Sequence, residues 1–67
     1  MVTLKVNGEE RRFERPLTVA DLIRALGIRA TAIAVEVNRT VVPKSRHDAH
    51  VLQSGDAVEI VTFVGGG

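Results

Sequence analysis

The chain has 67 residues and no cysteine, so it can build one hydrophobic core but not two, and disulfides and thiolate chemistry are excluded. Nine basic and eight acidic side chains nearly cancel, which gives no positive excess to favour nucleic acid as a partner. We find neither a signal-peptide pattern nor an apolar run of the roughly 20 residues that cross a membrane, and expect a cytoplasmic protein.

The N-terminal residues predict a strand followed by a tight hairpin. Residues 2–6 alternate apolar and polar side chains, as in a strand that is buried on one face. Asn7-Gly8 follows directly, and this dipeptide favours a type I′ turn because both residues tolerate positive φ angles. We therefore expect a returning strand over about Glu10 to Glu14, with Phe13 facing the core.

A short amphipathic helix should come next. Thr18 is a suitable N-cap, and Asp21 three residues later makes a near-match to the capping box. Gly27 supplies a C-terminal stop. Four apolar side chains at helical spacing would form one face: Val19, Leu22, Ile23 and Leu26. Such a short helix is stable only when it is docked on a sheet.

The middle of the chain predicts two more strands and a loop. Residues 33–37 alternate apolar and polar side chains, Asn38-Arg39 forms a turn, and residues 41–43 make a short edge strand that Pro43 limits. Residues 44–50 are polar, and we expect a loop or one irregular turn. His47 and His50 are three apart in this segment, but we interpret them as surface side chains and expect no metal site.

The last strand completes the fold prediction. Ser54-Gly55-Asp56 forms a turn, and the strand that follows cannot continue into Gly65-Gly66-Gly67. This order of elements predicts an α+β fold of the ubiquitin-like β-grasp type, a mixed four- to five-stranded sheet with one main helix packed across one face. First and last strands should be neighbours at the sheet centre. We expect residues 1–64 to form the domain and residues 65–67 a flexible C-terminal glycine tail.

The glycine tail is the most informative feature for function. A C-terminal carboxylate at Gly67 is ionised at neutral pH and needs activation, for example adenylation by ATP, before a nucleophile can attack it. A sulfur nucleophile would then give a thiocarboxylate, and an amine would give an amide. Glycines suit a tail that enters a narrow active site, because no Cβ atom meets its walls. The alternative is an inert, frayed end.

Three segments in this order resemble the ThiS family of sulfur carriers in thiamine biosynthesis. They are Leu17–Ile23 at the helix start, Ala34–Asn38 together with Val41–Pro43, and Gly55–Val61 leading into the glycines. The resemblance implies that an E1-like adenylyltransferase of the ThiF type activates Gly67 with ATP and Mg²⁺. It also implies a sulfur donor protein and a thiazole synthase of the ThiG type that accepts the sulfur.

On this resemblance the chain is a protein substrate rather than an enzyme, and it binds no cofactor or metal itself. Gly67 would be the modified residue and Gly66 its required neighbour. The family usually ends in two glycines, so Gly65 is an additional link in the tail required for activation. Two related functions stay open: a carrier like the small subunit of molybdopterin synthase, and a ubiquitin-like modifier conjugated to lysines. A binding domain with an inert tail is a further alternative.

An apolar group beside the tail predicts a docking surface for partners. Val61 and Phe63 lie on the face of the last strand opposite Val58 and Ile60, and Val64 follows them. If the helix covers the other face, these three side chains can bind the activating enzyme or the sulfur acceptor. The alternative is that Phe63 completes the core.

Overall fold

The computed structural model describes residues 1–29 and 31–63, in which a five-stranded mixed sheet is combined with one α-helix. The sheet order is β2-β1-β5-β3-β4, with β1 and β5 parallel and the other neighbours antiparallel. The strands are β1 (Val2–Val6), β2 (Glu9–Phe13), β3 (Ile33–Val37), β4 (Thr40–Val42) and β5 (Ala57–Thr62), and the helix is α1 (Val19–Ala25). The predicted α+β β-grasp architecture, with first and last strands adjacent, is confirmed.

The first hairpin follows from its turn. Asn7 and Gly8 have φ angles of 50° and 85°, as a type I′ turn requires. A two-residue turn pairs Val6 directly with Glu9, so β2 begins and ends one residue earlier than predicted. Phe13 lies opposite Val2 and is half-buried against the core, which confirms its predicted orientation.

Both ends of the helix are capped by local sequence. At the N-terminus the Asp21 N–H donates to Thr18 Oγ1 at 3.1 Å, and the Thr18 N–H donates to Asp21 Oδ2 at 3.0 Å, a complete capping box. At the C-terminus Gly27 has a φ of 71°, and the Ile28 N–H donates to the Ile23 carbonyl at 3.2 Å, as in a Schellman motif. The helix therefore spans only Val19–Ala25.

The core lies between α1 and one face of the sheet. Val19 and Leu22 on the helix are fully buried, and alternate residues of β1, β3 and β5 meet them. The buried apolar side chains are Val2, Leu4, Val6, Leu17, Val19, Leu22, Val35, Val37, Val42, Leu52, Val58 and Ile60. Over residues 1–29 and 31–63, no helix is long and apolar enough to span a membrane.

His47 corrects one prediction about the polar segment. A 3₁₀ turn spans Lys44–Arg46, in agreement with the predicted irregular turn. The interpretation of both histidines as surface side chains is wrong for His47, which is buried with its ring Nε2 2.9 Å from the Val42 carbonyl oxygen. The contact depends on how the chain folds back after β4, and the polar character of residues 44–50 does not indicate it.

The same segment also supports the start of the helix. The Ala20 N–H donates to the carbonyl of His47 at 2.9 Å, and the Val19 N–H donates to the carbonyl of His50 at 3.0 Å. Since the first N–H groups of a helix have no partner within it, these two carbonyls satisfy donors that the capping box leaves open. The segment thereby connects the helix to the β4 edge.

Candidate functional site

The central strand β5 leads to the predicted tail. It lies between β1 and β3, and Phe63 is the last described residue, with its N–H donating to the Ala32 carbonyl at 3.0 Å. The candidate residues Val64, Gly65, Gly66 and Gly67 lie outside the described residues. The site that the structure does describe is therefore the exit end of β5, together with the sheet face around it.

The two neighbours of β5 support it over different lengths. β3 pairs with β5 over nearly the whole length of β5, from Val37 opposite Val58 to Ile33 opposite Thr62. β1 pairs only at its own end, where Val6 lies opposite Val58, because the chain then turns into the hairpin. On the β1 side, strand pairing thus stops before the exit end of β5.

Asn7 continues the hydrogen bonding where β1 stops. Its backbone N–H donates to the Val58 carbonyl at 2.8 Å. Its side-chain Oδ1 accepts the Ile60 N–H at 2.7 Å, and its Nδ2 donates to the Ile60 carbonyl at 3.1 Å. The sequence predicted Asn7 only as a turn residue, because the register that brings it level with Ile60 depends on the pairing of β1 with β5.

Two of the three predicted docking side chains, Val61 and Phe63, are on the open face of the sheet. Val61 is 51% exposed and Phe63 is 57% exposed, on the face opposite the buried Val58 and Ile60. Phe63 is therefore a surface residue rather than a member of the core. Val41, on the same face of β4, is 63% exposed. The open face thus carries several large apolar side chains near the exit of β5.

Two carboxylates lie beside this apolar group. Glu36 on β3 is directly opposite Glu59 on β5, and both side chains are exposed. Like charges at opposed positions of an antiparallel pair are destabilising. Within residues 1–29 and 31–63 neither one forms an ion pair; the pairs found there join Arg12 to Glu10 and Arg24 to Asp21. The open face is thus suited to a partner that presents positive charge between apolar contacts.

Two observations concern the titratable side chains of the described residues. No three histidine, aspartate or glutamate side chains in residues 1–29 and 31–63 come together as a metal site. The pKa of Asp21 is lowered, first because the Thr18 N–H donates to its carboxylate and then because the Arg24 guanidinium bonds to it. This carboxylate belongs to the helix cap, where its charge is structural.

Comparison with known proteins agrees with this arrangement. The sequence model of the ThiS family matches residues 4–67. The chain is similar to the crystal structure of ThiS from Geobacter metallireducens, with a TM-score of 0.84 and 36% sequence identity. The superposition covers 98% of this chain and 100% of that one. The Bacillus subtilis sulfur carrier protein ThiS is 32% identical over 65 residues, which cover 96% of this chain and 98% of that protein.

Much longer proteins also contain a similar segment. A thiazole synthase of Paramagnetospirillum magneticum is 45% identical over 64 residues, which cover 96% of this chain but 20% of that protein. A thiazole synthase of Magnetococcus marinus is 39% identical over 64 residues, again 20% of its length. The chain therefore spans about a fifth of these two relatives.

Proposed function

The chain belongs to the ThiS family, and we propose that it is a sulfur carrier for the thiazole part of thiamine biosynthesis. The observation that carries this proposal is the family match over residues 4–67, which includes the glycine tail as well as the domain. A relative named as a sulfur carrier that is matched over nearly its whole length supports the same function.

The chemistry that we propose is centred on the carboxylate of Gly67. A carboxylate oxygen attacks the α-phosphorus of ATP, pyrophosphate leaves, and the product is an acyl adenylate. A sulfide equivalent (HS⁻) supplied by a donor protein then attacks the acyl carbon, the bond from that carbon to AMP breaks, and loss of the S–H proton leaves a thiocarboxylate in place of the carboxylate. ATP and Mg²⁺ belong to the activating enzyme of the ThiF type, so the carrier is the substrate of this reaction rather than its catalyst.

We propose thiazole synthase as the acceptor of the sulfur. Two relatives bear that name, and in each of them about a fifth of the length is similar to this chain. A carrier-like segment and the remaining polypeptide are therefore joined covalently in those proteins. Covalent linkage replaces an encounter between two proteins by an intramolecular one, which suits a donor and its acceptor.

The open face of the sheet is our candidate for docking to these enzymes. Val61 and Phe63 are exposed close to the exit of β5, and Glu36 with Glu59 adds negative charge beside them. Such a combination suits a partner with apolar contacts and an arginine or lysine at the centre of its interface. Val64, the third candidate docking residue, lies outside the described residues.

Activation is tested by pyrophosphate exchange. The chain is mixed with MgATP, labelled pyrophosphate and the ThiF-type enzyme of the same genome, and incorporation of label into ATP is measured. We expect exchange that depends on the chain and disappears when Gly66 and Gly67 are deleted, while the unfolding temperature stays the same. Exchange that persists in the truncated chain would contradict Gly67 as the activated residue. Absence of exchange with the full chain would contradict activation altogether.

A further inference from the structure

Asn7 occupies a position with two tasks. It is the first residue of the β1–β2 turn, with a φ angle of 50°. Its carboxamide also forms hydrogen bonds with both the N–H and the carbonyl of Ile60. Only one orientation of the amide satisfies both bonds, because Oδ1 must face an N–H and Nδ2 must face a carbonyl. The side chain thus substitutes for a strand residue that the hairpin turn removes.

Asn38 gives a matched case at the other end of β5. It is the first residue of the β3–β4 turn, with a φ angle of 52°. Its N–H donates to the Ala57 carbonyl at 2.8 Å, and its Oδ1 accepts the Ala57 N–H at 2.9 Å. Its Nδ2 donates to Asp56 Oδ1 at 2.9 Å. One asparagine therefore holds the start of β5, and the other holds the part next to the exit.

We propose that Asn7 is a positioning residue for sulfur transfer: its carboxamide fixes the exit end of β5 and so sets where the glycine tail leaves the domain. This inference rests on the proposed function, because it needs Gly67 to react inside a partner enzyme. Without the carboxamide, backbone pairing of β5 beyond Val58 comes from β3 only, although Ile60 stays in the core. A strand end that is hydrogen-bonded on one side separates more readily than one bonded on both sides.

The distance along the chain decides the size of the effect. The chain after Phe63 has four residues up to and including Gly67, and the chain after Val58 has nine. The local concentration of a tethered group falls as about the −3/2 power of tether length. Complete release of β5 beyond Val58 would therefore lower the concentration of the carboxylate at the activating site by roughly threefold. Misdirection of the tail adds to this loss, since reacting groups must be closely aligned.

The test compares Asn7→Gly with Asn38→Gly. Glycine accepts the positive φ of both turns, so each variant keeps its turn and loses two side-chain hydrogen bonds to the β5 region. We expect Asn7→Gly to lower kcat/KM for pyrophosphate exchange measurably, with about threefold as the loss for complete release of β5 beyond Val58, and Asn38→Gly to leave it unchanged within error. If Asn7→Gly does not fold, Asn7→Asp serves instead, because it keeps the acceptor for the Ile60 N–H and loses the donor.

Amide hydrogen exchange at Phe63 gives a second readout that does not depend on any enzyme. Its N–H bonds to Ala32 on the β3 side and makes no bond with Asn7. We expect it to exchange faster in Asn7→Gly than in Asn38→Gly. Equal exchange in the two variants, or equal losses of kcat/KM, would overturn the positioning role and leave only a general effect on stability.

The two readouts also separate this inference from the proposed function. If the unmodified chain supports no pyrophosphate exchange, the proposed function fails, and the hydrogen-exchange comparison alone judges whether Asn7 fixes the exit end. If the chain is activated normally and both asparagine variants behave alike, the proposed function stands and the positioning role of Asn7 is contradicted.

Discussion

Asp21 shows how one carboxylate links the fold to pH. Its pKa is lowered from the ordinary value of 3.8 by the hydrogen bond from the Thr18 N–H and by Arg24. A lowered pKa in the folded state means that the charged form stabilises the fold. This stabilisation is fully present when the pH lies above the ordinary pKa of 3.8. It is lost as the pH falls from 3.8 through the lower pKa that Asp21 has in the folded chain.

We predict that Asp21→Asn lowers the unfolding temperature at neutral pH and that its difference from the unmodified chain shrinks on acidification below the ordinary aspartate pKa. An asparagine at this position can accept the Thr18 N–H only with a neutral oxygen, so the stability of its helix cap does not change with pH in this range. Thermal unfolding at several pH values checks the prediction. A difference that stays constant from neutral to acidic pH would contradict the role of the charge.

The exposed apolar residues allow a test of docking that leaves the core intact. We predict that Val61→Ser lowers kcat/KM for adenylation by about tenfold, as expected for a residue at the centre of an interface. Val51→Ser is the matched control, because Val51 is 53% exposed while Val61 is 51% exposed, and Val51 lies outside β5. Steady-state pyrophosphate exchange measures both, and equal effects would show that Val61 has no special role.

Phe63→Ser tests the same surface closer to the tail. Since the ring is 57% exposed, the substitution should leave the unfolding temperature nearly unchanged and lower kcat/KM for adenylation by a similar factor. Circular dichroism during heating gives the first quantity, and pyrophosphate exchange gives the second. Unfolding of the variant at ordinary temperature would instead support the alternative of Phe63 as a core residue.

At the scale of elements, the register between β3 and β5 brings Glu36 opposite Glu59. We predict that Glu59→Gln raises the free energy of unfolding by up to about 1 kcal/mol, because it removes a like-charge pair. The same change should weaken binding to the activating enzyme and reduce the salt dependence of that binding. Urea unfolding and binding titrations at two salt concentrations measure these effects. Tighter binding of the variant would exclude a basic partner group at this position.

The connection between the 3₁₀ turn, β4 and the helix makes a further prediction. His47→Ala should lower the free energy of unfolding by about 1–3 kcal/mol, because it removes a buried side chain and its bond with the Val42 carbonyl. Asp48→Ala, at an exposed position of the same segment, should change it by less than about 0.5 kcal/mol. Urea denaturation compares the two. Equal costs would mean that the buried contact adds no stability.

Over the whole molecule, local signals predicted most of the architecture. The Asn7-Gly8 turn, the capping residue Thr18 and the stop at Gly27 each act within a few residues, so their effects can be read from the sequence. Strand alternation likewise predicted that Val58 and Ile60 lie on the face opposite Val61 and Phe63, and the structure shows that the face of Val58 and Ile60 is the buried one.

The features that could not be predicted depend on contacts that no local pattern specifies. The buried His47 ring contacts the Val42 carbonyl, Asn7 bonds to Ile60, and Glu36 faces Glu59 only because of one particular strand register. For the candidate site, strand alternation predicted that Val61 lies opposite Val58, whereas its exposure depends on which face of the sheet the helix covers. The bonds of Asn7 with Ile60 depend on the register between β1 and β5, in which Val6 lies opposite Val58, and the predicted adjacency of these two strands did not fix that register.

The most direct test of the central claim is the mass of the chain after incubation with MgATP, the ThiF-type enzyme and its sulfur donor. We predict that one oxygen is replaced by sulfur and that fragmentation assigns the change to Gly67. The sulfur should then be lost when the thiazole synthase and its substrates are added. An unchanged mass, or transfer of the chain to lysine side chains of other proteins, would contradict the sulfur-carrier function.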